Sequence, residues 1–262
     1  AGVYLVARMA PMFATQGNWR VVLLTVGSAT MLIGGLRALR QHDLKLLPAY
    51  GPVSQLGFMM LLFGTGADPI AQAGVVLLLA HGAFKAALFM VVGIVDHEVG
   101  TRDVRRLGGF GKGWRLTLVA GVVGAASMAG LPPLFGFISK EKALDGYIEH
   151  GDFVGSTVVL TVIVVASILT FAYSARFVLG LLGVFADPDF EASCVDDVDS
   201  QRAQAPSLLF VGPALFLTVF TVAVGLAPVI VNRLVETATM ALHPEAKLKP
   251  VHLWSGFNTA FV

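Results

Sequence analysis

The apolar run from Val75 to Val95, VVLLLAHGAFKAALFMVVGIV, constrains this chain more than any other stretch. It is long enough to cross a bilayer, and in lipid a spanning segment must satisfy its own backbone hydrogen bonds, which makes it a helix. His81 and Lys85 interrupt it one helical turn apart, on the same face. A Lys at the centre of a spanning helix costs roughly 2.5–3.5 kcal/mol on insertion scales, so such a side chain faces a wet or polar protein interior. The alternative is a Lys that snorkels to the interface beside a His satisfied in the core, and the apolar residues from Ala86 to Val95 make that a long reach.

The rest of the chain is of the same kind. Its 262 residues are 56% hydrophobic and 13% charged, with mean hydropathy +0.77, whereas a soluble domain is about a quarter charged. This is the composition of an all-α polytopic membrane protein. A net charge of +1 and the lack of a basic reading helix give no case for nucleic acid as a partner. The single cysteine, Cys194, excludes an internal disulfide, a Cys-based zinc site and an iron–sulfur cluster held by this chain, so no cofactor is expected. His81 has no second metal ligand at i+3 or i+4, where Lys85 stands instead, so no metal site is expected there. The chain opens on AGVYLVARMAPMF, without Met or the layout of a signal peptide, and reads as a fragment lacking its N-terminal part.

Seven apolar segments follow one another. Residues 1–13 read as the end of a truncated helix closed by Arg8 and Pro11. Further spans are expected at about 19–39, 46–64, 70–95, 114–147, 153–183 and 206–230, and residues 231–262 read as an amphipathic or interfacial tail. In the span at 46–64, Pro52 removes a backbone donor and releases the carbonyl four residues earlier, so its first half is expected to be kinked or irregular. The stretch 114–147 is too long for one straight crossing and is interrupted by Gly130-Leu131-Pro132-Pro133, which predicts a broken helix. Non-helical backbone at membrane depth is tolerated where protein or water satisfies it, and so points to an ion path. The glycines at 109, 111 and 113 lack the spacing and the Ser or Thr of a phosphate loop; they read as part of a basic loop.

Basic residues mark orientation. Arg37, Arg40 and Lys45 lie in one loop and Arg102, Arg105, Arg106, Lys112 and Arg115 in another, while 64–69 and 150–152 have none. The basic loops at 37–45 and 97–115 are therefore expected on the cytoplasmic side of a bacterial cell membrane. The acidic connector at 184–205 falls on the same side and counts little in that rule.

Lateral proton movement needs groups that alternate between charged and neutral forms. A desolvated amine can do so and an imidazole does so almost unaided, whereas Arg cannot. Lys85 and His81 supply such groups, and Lys140 beyond the break either joins them or, if the span stops near Ile138, belongs to a surface cluster with Ser139, Glu141 and Lys142; Tyr50, Ser54 and Gln55 make the preceding helix polar.

The stretches Asp43-Leu-Lys45, Ala49-Tyr50-Gly-Pro-Val-Ser54-Gln55-Leu-Gly57, His81-Gly-Ala-Phe-Lys85-Ala-Ala-Leu-Phe89 and Gly130-Leu-Pro-Pro133 through Gly136-Phe-Ile-Ser-Lys140-Glu resemble the proton-translocating antiporter family in order and spacing, over nearly the whole chain. That family includes the antiporter-like subunits of respiratory complex I and the large subunits of the Mrp-type multisubunit Na⁺/H⁺ antiporter. Asp96-His97-Glu98-Val-Gly100-Thr101-Arg102-Asp103 and the late Leu253-Trp254-Ser-Gly256-Phe257-Asn258 look most like its Mrp A branch. The resemblance implies the C-terminal half of a fourteen-helix transport unit with a broken helix, inside a hetero-oligomeric complex, moving H⁺ and Na⁺. It implies that Lys85 and His81 are the central relay residues and Lys140 the outlet lysine. For Asp43, Lys45, Tyr50, Ser54 and Gln55 it leaves structural hydrogen bonding and proton transfer both open. Two departures stand out: Gly51-Pro52 follows Tyr50 where the family has Ser or Gly followed by Thr, and Ser255 replaces a His in the terminal motif.

Three functions follow for testing. The chain is a subunit of a monovalent cation (Na⁺)/H⁺ antiporter, a transporter and not an enzyme; or the proton-pumping arm of NADH:quinone oxidoreductase; or a membrane scaffold whose buried lysines tolerate Leu. No Na⁺ site is identifiable in the sequence, and Asp96 and Glu98 read as a solvated helix end.

Overall fold

A computed structural model describes residues 2–108, 110–151, 153–187, 204–244, 246, 248, 250 and 251. Cys194, most of the acidic connector and the stretch Leu253 to Asn258 lie outside the described residues.

The described residues form an all-α bundle: α1 (Gly2–Phe13), α2 (Gly17–Leu39), α3 (Leu46–Gly64), α4 (Asp68–Val99), α5 (Arg115–Ala129), α6 (Phe135–His150), α7 (Ser156–Leu181), α8 (Leu208–Leu226) and α9 (Val229–Leu242). Five of these, α2, α3, α4, α7 and α8, are long and apolar enough to cross a membrane, and each has an outward face of large apolar residues, such as Val21, Val22 and Ile33 on α2 or Leu209, Phe216 and Val219 on α8. Such faces lie against hydrocarbon, where no polar partner is available. The other side of each helix packs inward, and α4 is the hub, touching α3, α5, α6, α8 and α9.

Small residues set the closest crossing. A methyl group on Gly57 would come 2.7 Å from the Gly27 carbonyl oxygen, and one on Gly34 would come 2.6 Å from the Ser54 nitrogen, so α2 and α3 lie backbone to backbone. This brings α3, with its prolines, into the interior against α4.

Two expectations need correction. Helix α3 runs unbroken through Pro48 and Pro52, so of the kinked or irregular first half expected only the irregular form is excluded: Pro48 falls in the first turn, where its missing donor is no loss, and the bond lost at Pro52 is replaced from α4. The last span ends at Leu226, and a separate amphipathic helix, α9, begins at Val229 after Pro228. Helix α1 runs through Arg8 and Pro11 to Phe13, and the Arg8 guanidinium donates to the Ala241 carbonyl of α9.

The basic-loop end is fastened by backbone. Asp43 and Asp103 form an antiparallel bridge, with Leu44 N–H on the Arg102 carbonyl (2.7 Å) and Val104 N–H on the His42 carbonyl (2.9 Å). Gly100, in the left-handed conformation (φ 76°), ends α4 and turns the chain toward this bridge.

Candidate functional site

Lys85 sits near the middle of α4 and is buried, with 5% of its surface exposed. Its stem crosses to α3, where Nζ donates to the Pro48 carbonyl at 2.9 Å, with Met128 Sδ of α5 at 3.1 Å. In an unbroken ladder that carbonyl would belong to the N–H of residue 52, and residue 52 is Pro. Gly51 leaves the approach open: a methyl there would strike Lys85 Nζ and stand 3.5 Å from the Tyr173 ring of α7.

Lys140 repeats the pattern at the broken helix. Helix α5 closes on Gly130 (φ 85°, ψ 40°), whose N–H reaches Ser127 O (3.0 Å) while Leu131 N–H reaches Ala126 O (3.0 Å). This is the Schellman arrangement, and it leaves later carbonyls of the helix without partners. One of them, Ala129, stands four residues before Pro133 and receives Lys140 Nζ at 2.8 Å. A methyl at Gly130 would come 2.6 Å from Lys140 Cδ. Each lysine is thus seated on a carbonyl that lies four residues before a proline, beside a glycine that makes room. The two seats adjoin, because Met128 and Ala129 are consecutive residues in the last turn of α5.

The broken segment is held by its own side chains. Ser127 Oγ, fully buried on α5, accepts the Gly136 N–H at 3.1 Å and so caps one of the first donors of α6. Gly136 packs on the Ser127 carbonyl so closely that any Cβ would overlap it, and a Cβ on Gly225 of α8 would likewise overlap the Pro133 carbonyl.

The remaining candidates separate into two groups. Ser54 and Gln55 are buried on α3 close to Lys85's seat, and Ser54 Oγ and both polar atoms of the Gln55 amide make no hydrogen bond. The Tyr173 hydroxyl, directed toward Thr170 and Gln55, is also buried without a bond. Sequence reasoning gave Tyr173 no role; the signal available was a phenol in an otherwise apolar run. His81 is half-buried, edge-on to Phe84 with ring centroids 5.5 Å apart, and its Nδ1 is buried and unbonded. Tyr50 is half-buried against the core.

Asp43 and Lys45 belong instead to the start of α3. Asp43 Oδ1 accepts the backbone N–H groups of Lys45 (2.6 Å) and Leu46 (3.1 Å), the role of a helix cap, and the Lys45 residue is exposed. Arg102 stands between Asp43 (3.5 Å) and Asp96 (3.6 Å), and Arg105 grips Asp103 through two bonds of 3.0 and 2.6 Å. The carboxylates of this cleft are therefore already balanced by guanidinium. Burial pushes the Asp103 carboxyl up, but the Arg105 hydrogen bonds and charge, with His42 adding to them, outweigh it and hold it below its usual value. Among the described residues no cluster of three His, Cys, Asp or Glu side chains is placed to hold a metal ion.

Comparison with known proteins bears on this arrangement. The family described as NADH:quinone oxidoreductase/Mrp antiporter, TM, matches residues 1–170. The Na(+)/H(+) antiporter subunit A1 of Staphylococcus epidermidis is 34% identical over 283 residues, a match that takes in 100% of this chain and 34% of the relative. The chain thus spans about a third of the length of the curated relatives it matches. The structure of the Mrp complex from Dietzia sp. DQ12-45-1b contains a chain with 32% identity and a TM-score of 0.84, covering 99% of this chain and 27% of that one. Respiratory complex I from Thermus thermophilus with bound NADH contains a chain of the same fold at 22% identity, with a TM-score of 0.75 over 93% of this chain and 49% of that one.

Proposed function

Because the chain belongs to the NADH:quinone oxidoreductase/Mrp antiporter transmembrane family, we propose that it is a proton-translocating membrane subunit of a multisubunit Na⁺/H⁺ antiporter. Lys85, His81 and Lys140 are the relay in this reading, and it is a transport subunit, not an enzyme. The observation that carries it is the pair of adjoining lysine seats. Each ammonium is held by a carbonyl acceptor and, among the described residues, no carboxylate, so neither charge is locked in an ion pair there. A carbonyl accepts from either the ammonium or the neutral amine, so each seat serves both protonation states. Met128 and Ala129, consecutive residues in the last turn of α5, contribute one contact to each seat.

Identity at the level of the A subunit of a Na⁺/H⁺ antiporter supports this reading over the redox-driven alternative, since the likeness to the complex I chain is one of fold. The basic loops at 37–45 and 97–115 are placed on the cytoplasmic side in this reading, and other subunits of the complex cover part of the outer surface. The test is Na⁺/H⁺ exchange in everted vesicles carrying the whole complex. Exchange collapses for Lys140→Ala and falls sharply for Lys85→Ala; unchanged rates in both overturn the assignment.

A further inference from the structure

We propose that His243 and Asp68 form a second proton-exchange site, at the end of the bundle opposite the basic loops, where the relay meets the outer water. The proposal rests on the antiport reading and adds to it the residues at which protons enter or leave.

Asp68 opens α4, the helix that carries His81 and Lys85, and His243 directly follows α9. His243 Nδ1 lies 3.0 Å from Asp68 Oδ1; the imidazole is 6% exposed, while the carboxylate is 38% exposed and reaches solvent. A carboxylate accepts and does not donate, so in the neutral ring the Nδ1 carries the hydrogen and the Nε2 lone pair is the available base. That Nε2 is buried and has no hydrogen-bond partner among the described residues. An imidazole oriented by a carboxylate on one nitrogen, with the other nitrogen directed into the protein, is arranged to take up and give back a proton. A proton taken by Nε2 makes an imidazolium whose charge Asp68 offsets, and loss of either ring proton restores the neutral ring.

The site is built, not incidental. The His243 N–H closes on the Thr239 carbonyl at 2.8 Å, Val235 and Thr239 are fully buried beneath it, and the Ala241 carbonyl is held by Arg8 of α1. Among the elements packed on α9, α1 contributes Arg8, α4 contributes Asp68, and α8 has no titratable side chain. The site also connects inward. Gln72, 2% exposed, follows Asp68 by one turn on the same face of α4 and accepts from Lys142 Nζ at 3.3 Å. Lys142 lies on α6, the helix that also carries Lys140, so α6 bears both the broken-helix seat and the inner end of the polar row that ends at Asp68.

The test uses the whole complex in everted vesicles, with exchange measured as luminal pH is varied. His243→Asn is expected to lower exchange on the order of tenfold and to flatten the luminal-pH dependence. Asp68→Asn keeps an acceptor for Nδ1 but removes the counter-charge, and is expected to lower exchange and alter its luminal-pH profile; it decides the matter if His243→Asn fails to assemble. Wild-type rates and profiles in both variants, beside lost exchange in Lys85→Ala and Lys140→Ala, overturn this inference and leave the antiport reading standing. Retained exchange in the two lysine variants overturns the antiport reading itself.

Discussion

Lys85 Nζ donates to the carbonyl of Pro48 at 2.9 Å, and that carbonyl has no helical partner because residue 52 is a proline. The acceptor is therefore written into the backbone of α3, and side-chain substitution at residue 48 leaves it in place. Pro52→Ala supplies the missing N–H, which competes with the ammonium for the same oxygen. Expression and assembly are expected to hold or improve, since a proline in a helix interior costs about 3 kcal/mol relative to Ala. Na⁺/H⁺ exchange is expected to fall by roughly tenfold, the equivalent of about 1.4 kcal/mol for one hydrogen bond to a charged group. Pro48→Ala, which keeps the carbonyl and Pro52, is the control and should exchange close to the wild-type rate. Equal activity in the two variants would show that the seat does not matter.

The glycines beside the two lysines predict a graded series. Gly51→Ala pushes on the mobile tip of Lys85, so exchange is lost while the complex still assembles. Gly130→Ala combines contact with Lys140 Cδ at 2.6 Å and a left-handed residue that an L side chain disfavours by about 1–2 kcal/mol. Gly136→Ala meets the Ser127 carbonyl itself, which cannot move aside, and is expected to abolish assembly. Native-gel yield and exchange rate, measured on the same membranes, separate the three; loss of assembly in Gly51→Ala would contradict the ordering.

The all-helical architecture and the break were legible because both follow from local rules: long apolar segments have one solution in lipid, and Gly130 to Pro133 cannot continue a helix. The release of the Pro48 carbonyl was legible for the same reason. Its partner was not, because Lys85 is 37 residues away and only packing brings it there. This is also why the first half of α3, expected to be kinked or irregular, is an unbroken helix: the local rule sees a lost bond, and the fold replaces it. The end of α8 at Leu226 turned on Pro228, which an apolar pattern running on to Ile230 conceals. Tyr173 offered only the faint signal of a phenol in an apolar run and His243 offered none, since each gains its meaning from helices distant in sequence.

Asp43 and Asp103 test the clasp at the basic-loop end. Asp43→Ala removes a helix cap, worth about 1 kcal/mol, and one partner of Arg102. It is expected to lower the melting temperature of the purified complex while leaving the pH profile of exchange unchanged; a shifted profile would make Asp43 part of the proton path. Asp103 has a carboxyl held below its usual value in the folded state by Arg105. A depressed folded value means the contribution is present above the unfolded value of about 3.9 and is lost as pH falls through the lower, folded value. Asp103→Asn should therefore destabilise by about 1 kcal/mol or less at neutral pH, and the difference from wild type should begin to shrink below about pH 3.9 and vanish once the pH is under the lower, folded value. A difference that grows in acid would reverse the sign and refute the pairing.

Ser54, Gln55 and Tyr173 place four polar atoms without hydrogen bonds in the interior around Lys85. A buried polar atom left unbonded costs about 1–3 kcal/mol, so a cluster of them persists where water completes their bonds. An experimental map at a resolution that shows ordered water is expected to reveal molecules between the Tyr173 hydroxyl, the Gln55 amide and Lys85 Nζ. Tyr173→Phe removes one hydroxyl from that chain without changing the packing of the ring on Gly51. It is expected to leave assembly intact and to slow exchange severalfold, in the manner of a lost proton carrier. A dry pocket in the map, together with wild-type exchange in Tyr173→Phe, would confine the relay to the lysines and His81.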